Sequence, residues 1–145
     1  MITGAKTLDI QATPAAVFAR LADLPGYPRW QSFVTEVGIR EQDDAGRATV
    51  VQATLDAKAT TLKTVLRYRF DEPDRVSWTH EGGDLKDMRG SFSLAAAGDG
   101  AATSVTMEVA VDPGFKLGLL LRGPVEDRVK AAVLDRTLEG LAASF

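Results

Sequence analysis

The sequence has no cysteine and only one histidine, His80. Disulfides and thiolate chemistry are therefore excluded. A zinc or iron–sulfur centre would have to be assembled from one imidazole and carboxylates, so neither metal nor cofactor is expected. The lone histidine also removes most hydrolytic schemes: no Ser-His-Asp set, phosphate-cradling glycine loop or paired catalytic carboxylates stand out. An excess of positive charge is missing too. Seventeen basic against twenty acidic side chains give a net charge of -3, poor equipment for neutralising a row of phosphates, so nucleic acid is not an expected partner. No apolar run approaches the length needed to span a bilayer, and Met1 to Ile10 lacks a basic region followed by an apolar stretch. Stable membrane insertion is not expected, and a cytoplasmic location is.

What is present reads as one folded domain over 1–145. The chain is long enough to bury a substantial core, and its 45% hydrophobic and 26% charged content is ordinary for globular proteins. Leu8 and Ile10 alternate with Thr7, Asp9 and Gln11, the two-residue period of a half-buried strand. Thr13-Pro14 is a helix start, a capping hydroxyl followed by a ring preset for the first turn. Val17, Phe18 and Leu21 supply that helix's apolar face. Leu24-Pro25-Gly26-Tyr27-Pro28-Arg29-Trp30 interrupts it and predicts a second short helix.

A run of hairpins follows. Phe33, Thr35, Val37 and Ile39 are expected on one face of a strand, turning through Asp43-Asp44-Ala45-Gly46 into Ala48–Leu55. Leu62, Thr64, Leu66, Tyr68 and Phe70 alternate with Lys63, Val65, Arg67 and Arg69, which puts the two arginines on a solvated outer surface. Val76, Trp78 and His80 share the next face, and Glu81-Gly82-Gly83-Asp84 is expected to break that strand. Met88, Gly90, Phe92 and Leu94 then point inward, as do Val105, Met107, Val109 and Val111 in the last strand. Short hairpin spacing argues for an antiparallel meander of about seven strands.

Pro124 opens a long C-terminal helix to Phe145, rich in good helix formers. At roughly 100° per residue, Val125, Val129, Ala132 and Arg136 share one face while Leu134, Leu138, Leu141 and Phe145 lie nearly opposite. The apolar stripe changes sides midway, as expected if the first half roofs a cavity and the second meets different neighbours. Between the last strand and this helix, Phe115, Leu117, Leu119, Leu120 and Leu121 make a leucine-rich loop. It is expected to act as a lid, or as a docking site for a protein partner.

The order of elements, the Asp23-Leu24-Pro25-Gly26-Tyr27-Pro28-Arg29-Trp30 segment, the Leu85-Lys86-Asp87-Met88-Arg89-Gly90-Ser91-Phe92 strand and the terminal helix together resemble the START-like (SRPBCC) superfamily. The likeness is to its polyketide cyclase/dehydrase and coenzyme Q carrier branch. The resemblance implies an α+β helix-grip fold: a curved antiparallel sheet wrapped around a long C-terminal helix, with two short helices after strand one. It also implies a cavity between sheet and helix that holds a lipid, quinone, isoprenoid or polyketide-like molecule. A non-catalytic carrier or sensor is the favoured reading; the alternative is a polyketide aromatase/cyclase using the same cavity.

The residues expected to line that cavity are Trp30, Leu66, Tyr68, Trp78, His80, Met88, Phe92, Met107, Val129, Ala132 and Arg136. If there is catalysis, His80, Arg136 and Tyr27 are the candidates. His80 could move a proton near neutral pH, a buried Arg136 would need an anion, and Tyr27 has a hydroxyl.

Overall fold

The computed structural model describes residues 2–56, 60–120 and 124–145. Seven strands form one antiparallel sheet: β1 (Ile2–Ile10), β2 (Val34–Gln42), β3 (Ala48–Asp56), β4 (Thr61–Asp71), β5 (Arg75–Gly83), β6 (Asp87–Ala97) and β7 (Ala102–Asp112). The order across the sheet is β1-β7-β6-β5-β4-β3-β2, so consecutive strands are hydrogen-bonded hairpins and only β1 is placed out of turn, against β7. Among the described residues there are also three α-helices: α1 (Pro14–Ala22), α2 (Phe115–Leu120) and α3 (Pro124–Ala143). This is the expected α+β helix-grip arrangement. No helix among the described residues is long and apolar enough to cross a membrane.

Local chemistry explains the elements. Thr13 caps α1, its hydroxyl accepting the Ala16 amide at 3.2 Å, and Pro14 occupies the first turn. Val17, Phe18, Leu21 and Ala22 are buried on the face turned to the sheet. The two prolines that follow are accommodated in a 3₁₀ turn over Leu24–Arg29 that ends at Trp30. Strand alternation holds across β1 and β4 to β7: Ile10, Leu66, Val76, Trp78, Phe92, Val105 and Met107 are all buried in one core.

Two sequence expectations are corrected here. On β2 the register slips between Val34 and Glu36 and again after Ile39. A bulge inserts an extra residue and reverses which side chains face in. Val34 and Val37 therefore pack on the core and Thr35 is exposed, while Ile39 keeps the face of Val37, pairing with the buried Val51, and is 47% exposed beside Ala22 and Pro25. Nor does Glu81-Gly82-Gly83 end β5. The strand runs on to Gly83, with its pairing stepping from Leu66–His80 to Val65–Gly82 and skipping Glu81.

The C-terminal helix is anchored along its second half. Leu138 and Leu141 are fully buried, the Gln31 amide donates to the buried Thr137 hydroxyl, and Gly140 lets the helix backbone touch the Trp30 carbonyl. A Cβ at position 140 would lie inside that oxygen's envelope. Past the helix end, Arg20 of α1 donates to the Ser144 carbonyl and hydroxyl, both at 2.6 Å, and lies 4.3 Å from the Phe145 ring centre. The first half leans on β1: Lys6 pairs with Asp135, and Gly4 makes room for the Lys130 stem and Leu134.

Candidate functional site

The inner face of the sheet at the open end, where β4 and β6 begin and β5 and β7 finish, is the candidate site. Among the described residues the α3 backbone packs on β1 and, less closely, β7, while the helix nearest β5 and β6 is α1, which follows the far end of β1. Pairing places His80 opposite Leu66 and Trp78 opposite Tyr68. Thr64, two residues before Leu66 on the same face, is diagonal to His80. Gly90 of β6 is opposite Trp78. A Cβ there would run into the six-membered ring of the indole, so glycine is what allows Trp78 to lie flat on the strand.

Aromatic rings continue from this row toward the 3₁₀ turn. Trp78 is 5.8 Å from Tyr68, Tyr68 is 6.4 Å from Tyr27, and Tyr27 is 4.7 Å from Trp30, centre to centre. Burial raises both phenols above the ordinary tyrosine range, and the nearby Tyr68 and Asp23 push Tyr27 further up. Both stay protonated at neutral pH. The Tyr27 proton is already committed, since its hydroxyl donates to the Leu21 carbonyl at 2.7 Å.

Four buried side-chain atoms have no hydrogen-bond partner among the described residues: Trp30 Nε1, Thr64 Oγ1, Trp78 Nε1 and His80 Nε2. Buried polar groups are paired in the great majority of cases, and leaving one unpaired costs about 1–3 kcal/mol. Thr64, Trp78 and His80 form one continuous row on β4 and β5, with Trp30 at the far end of the aromatic chain. Two open depressions are also present: one of about 410 Å³ between α1 and the β2–β3 turn, the other of about 380 Å³ against β5 to β7, lined mainly by outward residues such as Ser77, Thr79 and Glu108 and also by Trp78 of the unpaired row.

The residues singled out in the sequence fall into three groups. Tyr68, Trp78, His80 and Met88 are on the inner face at or near the open end, and Trp30 is at the anchored end, its carbonyl against Gly140 of α3. Leu66, Phe92 and Met107 are only 2–4% exposed and belong to the packed core. Val129, Ala132 and Arg136 lie on the less buried side of α3. Arg136 is exposed, its guanidinium 5.6 Å from the centre of the Phe33 ring, so the expected buried cation is not there. The leucine-rich segment is a helix, α2, over Phe115–Leu120 rather than a loop. Phe115 is 81% and Leu119 47% exposed. Leu121 lies outside the described residues, as do the side chains of Leu117 and Leu120. Arg67 and Arg69 are on the outer surface as expected, Arg67 pairing with Glu41 and Glu81. Among the described residues no cluster of histidine and carboxylates could hold a metal ion.

Thr64 was missed as a site residue, although its signal was present: a hydroxyl at an inward position of the Leu62–Phe70 alternation, where only apolar groups are at home.

The sequence profile of the family described as polyketide cyclase/dehydrase and lipid transport matches residues 1–145. Among curated proteins none matches. Among solved structures, a START superfamily protein from Mycobacterium smegmatis superposes with a TM-score of 0.85 at 15% identity, covering 98% of this chain and 95% of that one. A protein from Thermus thermophilus gives 0.83 at 19% identity, with 97% and 94% covered. The Zhui aromatase/cyclase from Streptomyces sp. R1128 gives 0.72 at 19% identity, with 98% and 92% covered. At these identities the structures establish the shared fold.

Proposed function

The chain belongs to the polyketide cyclase/dehydrase and lipid transport family, and from that premise we propose that it encloses a hydrophobic small molecule between the sheet and the first half of α3. One observation carries the reading. The open end leaves apolar surface uncovered: Phe115 and Leu119 of α2 are 81% and 47% exposed, and Leu62 and Met88 are half-buried on the strands. Burying such surface is worth about 25 cal/mol per Å², so an apolar guest draws its affinity from groups the protein has left without cover.

Native mass spectrometry of gently purified protein, followed by organic extraction, tests this. A released lipid, quinone, isoprenoid or aromatic polyketide is the expected result. Protein that is empty, and that also fails to bind a panel of hydrophobic compounds, overturns it and favours a docking role for α2.

A second reading, aromatase/cyclase chemistry in the same space, draws on the unpaired, buried His80 Nε2 and on the likeness to the Streptomyces aromatase/cyclase. His80 is the candidate to move a proton. Tyr27 has its hydroxyl engaged and Arg136 faces outward. His80→Ala separates the readings. In a carrier it spares binding apart from the ligand's polar end. In a cyclase it abolishes turnover, and unchanged turnover sinks the mechanism.

A further inference from the structure

We infer that two copies of this chain associate edge to edge, β2 adding antiparallel to β2 about a two-fold axis at Gly38, in a weak and reversible dimer.

β2 ends the sheet, so among the described residues one side of its backbone has no strand to bond. Such an edge is a template for another strand, and charged side chains and bulges normally keep other chains off it. On β2 the charges stand in an order that suits one particular partner. The segment reads Glu36-Val37-Gly38-Ile39-Arg40: an acid, an apolar residue, glycine, an apolar residue and a base. Laid antiparallel on itself about Gly38, it sets each Glu36 opposite the partner's Arg40 and each Val37 opposite the partner's Ile39. Opposite charges and apolar pairs favour strand pairing in these positions, whereas pairing centred on Glu36 or on Arg40 would set like charges face to face. The side-chain faces match as well. Gly38 pairs with Gln52, and Arg40 donates to that same Gln52 side chain, so Arg40 lies on the outer face with Glu36 and Gly38. Val37 and Ile39 lie on the inner face, Ile39 opposite the buried Val51.

Three features of β2 have no cause within a single chain, and a second copy supplies one for each. Ile39 is 47% exposed, and the partner's Val37 covers it. Glu36 and Arg40 are exposed, and among the described residues neither has a group of opposite charge to pair with, whereas the neighbouring Glu41 is held by Arg67. Gly38 has no left-handed backbone, and a Cβ there would meet only the Gln52 carbonyl at 3.9 Å, so neither its conformation nor its neighbours require glycine. A glycine inside a strand often marks the close approach of another backbone.

The bulges set the size of the contact. Pairing with β3 shifts between Val34 and Glu36 and again between Ile39 and Glu41, so the added strand is confined to Glu36–Arg40 in each copy. A contact this small belongs to the weak, transient class, with a Kd on the order of 100 µM. Because the same patch serves both copies, it consumes both β2 edges and stops at two.

Sedimentation equilibrium of the whole chain from about 5 to about 500 µM tests this, and a reversible monomer–dimer equilibrium is expected. Glu36→Arg and Arg40→Glu, each alone, set like charges opposite each other at both ends of the pairing and should weaken association at least about tenfold. Both positions are exposed, so each variant should unfold at nearly the wild-type urea concentration. Mixed in equal amounts, the two single variants should dimerise with each other: the native Glu36 of one meets the native Arg40 of the other, and the two introduced charges meet at the opposite end. The double variant Glu36→Arg, Arg40→Glu should regain self-association. A chain that stays monomeric at about 500 µM overturns the inference. So does a dimer that the single variants leave intact, since another surface then forms it. If the single variants fail to associate both alone and when mixed, the pairing about Gly38 is overturned as well.

Discussion

The two halves of α3 are built for different tasks. The second half is fixed at every turn: Leu138 and Leu141 are fully buried, Thr137 bonds Gln31, Gly140 touches the Trp30 carbonyl, and Arg20 holds Ser144 just beyond the helix end. The first half leans on β1 through Leu134 and the Lys6–Asp135 pair and leaves Val125 and Val129 exposed. One continuous helix is thus tightly fixed at one end and lightly held at the other. The lesson is that weak amphipathicity need not mean weak structure. A stripe that crosses from one side of a helix to the other records two sets of neighbours.

Substitutions can break or sharpen this contrast. Gly140→Ala should have the largest effect, because the added methyl meets backbone rather than a side chain that can swing away; a loss of about 4 kcal/mol, or failure to fold, is expected in urea titrations. Leu138→Ala, at a fully buried site, should cost about 3 kcal/mol by the same measurement. Tyr27, whose ring packs on Trp30 at the anchored end, should give that end an alkaline limit. Its folded pKa is raised by burial, so its contribution is intact below about pH 10. Above that the unfolded chain sheds a proton that the folded chain keeps, and stability should fall by up to about 1.4 kcal/mol per pH unit. Tyr27→Phe should flatten that limb. Val129→Ala, on the lightly held half, should cost less than about 0.5 kcal/mol, since it is partly solvated and alanine is the better helix former. A large stability loss there would erase the distinction between the halves.

Much of this was legible in the sequence because antiparallel hairpins write their register in alternating residues. Leu62 to Phe70, Val76 to His80 and Met88 to Leu94 all face as their spacing predicts. The bulges of β2 were not legible. A single inserted residue leaves no compositional mark, and it is enough to expose Thr35 and turn Val34 inward. Arg136 misled for a related reason: sharing a face with Val129 fixes its angle about the helix axis, not the neighbour toward which that angle points. For the site, the aromatic residues and His80 could be read, whereas core residues such as Phe92 and Met107 could not be told from lining residues. Period two says which way a side chain faces but not how much covers it. Gly90 was visible as a motif, and its reason, the indole lying across it, emerged only with the strand pairing.

The sheet order carries a consequence for how the molecule assembles. From β2 to β7 every pairing is between strands adjacent in sequence, so that part zips up through short loops. β1 and α3 are the exceptions: Thr7 meets Thr106 across 99 residues and Lys6 meets Asp135 across 129. Closing such long loops is the slow step in folding. In pulse-labelled hydrogen exchange the amides of β4 to β6 should therefore gain protection before those of β1 and α3. The middle of the sheet stands first, and its last strand and long helix arrive from the two ends of the chain.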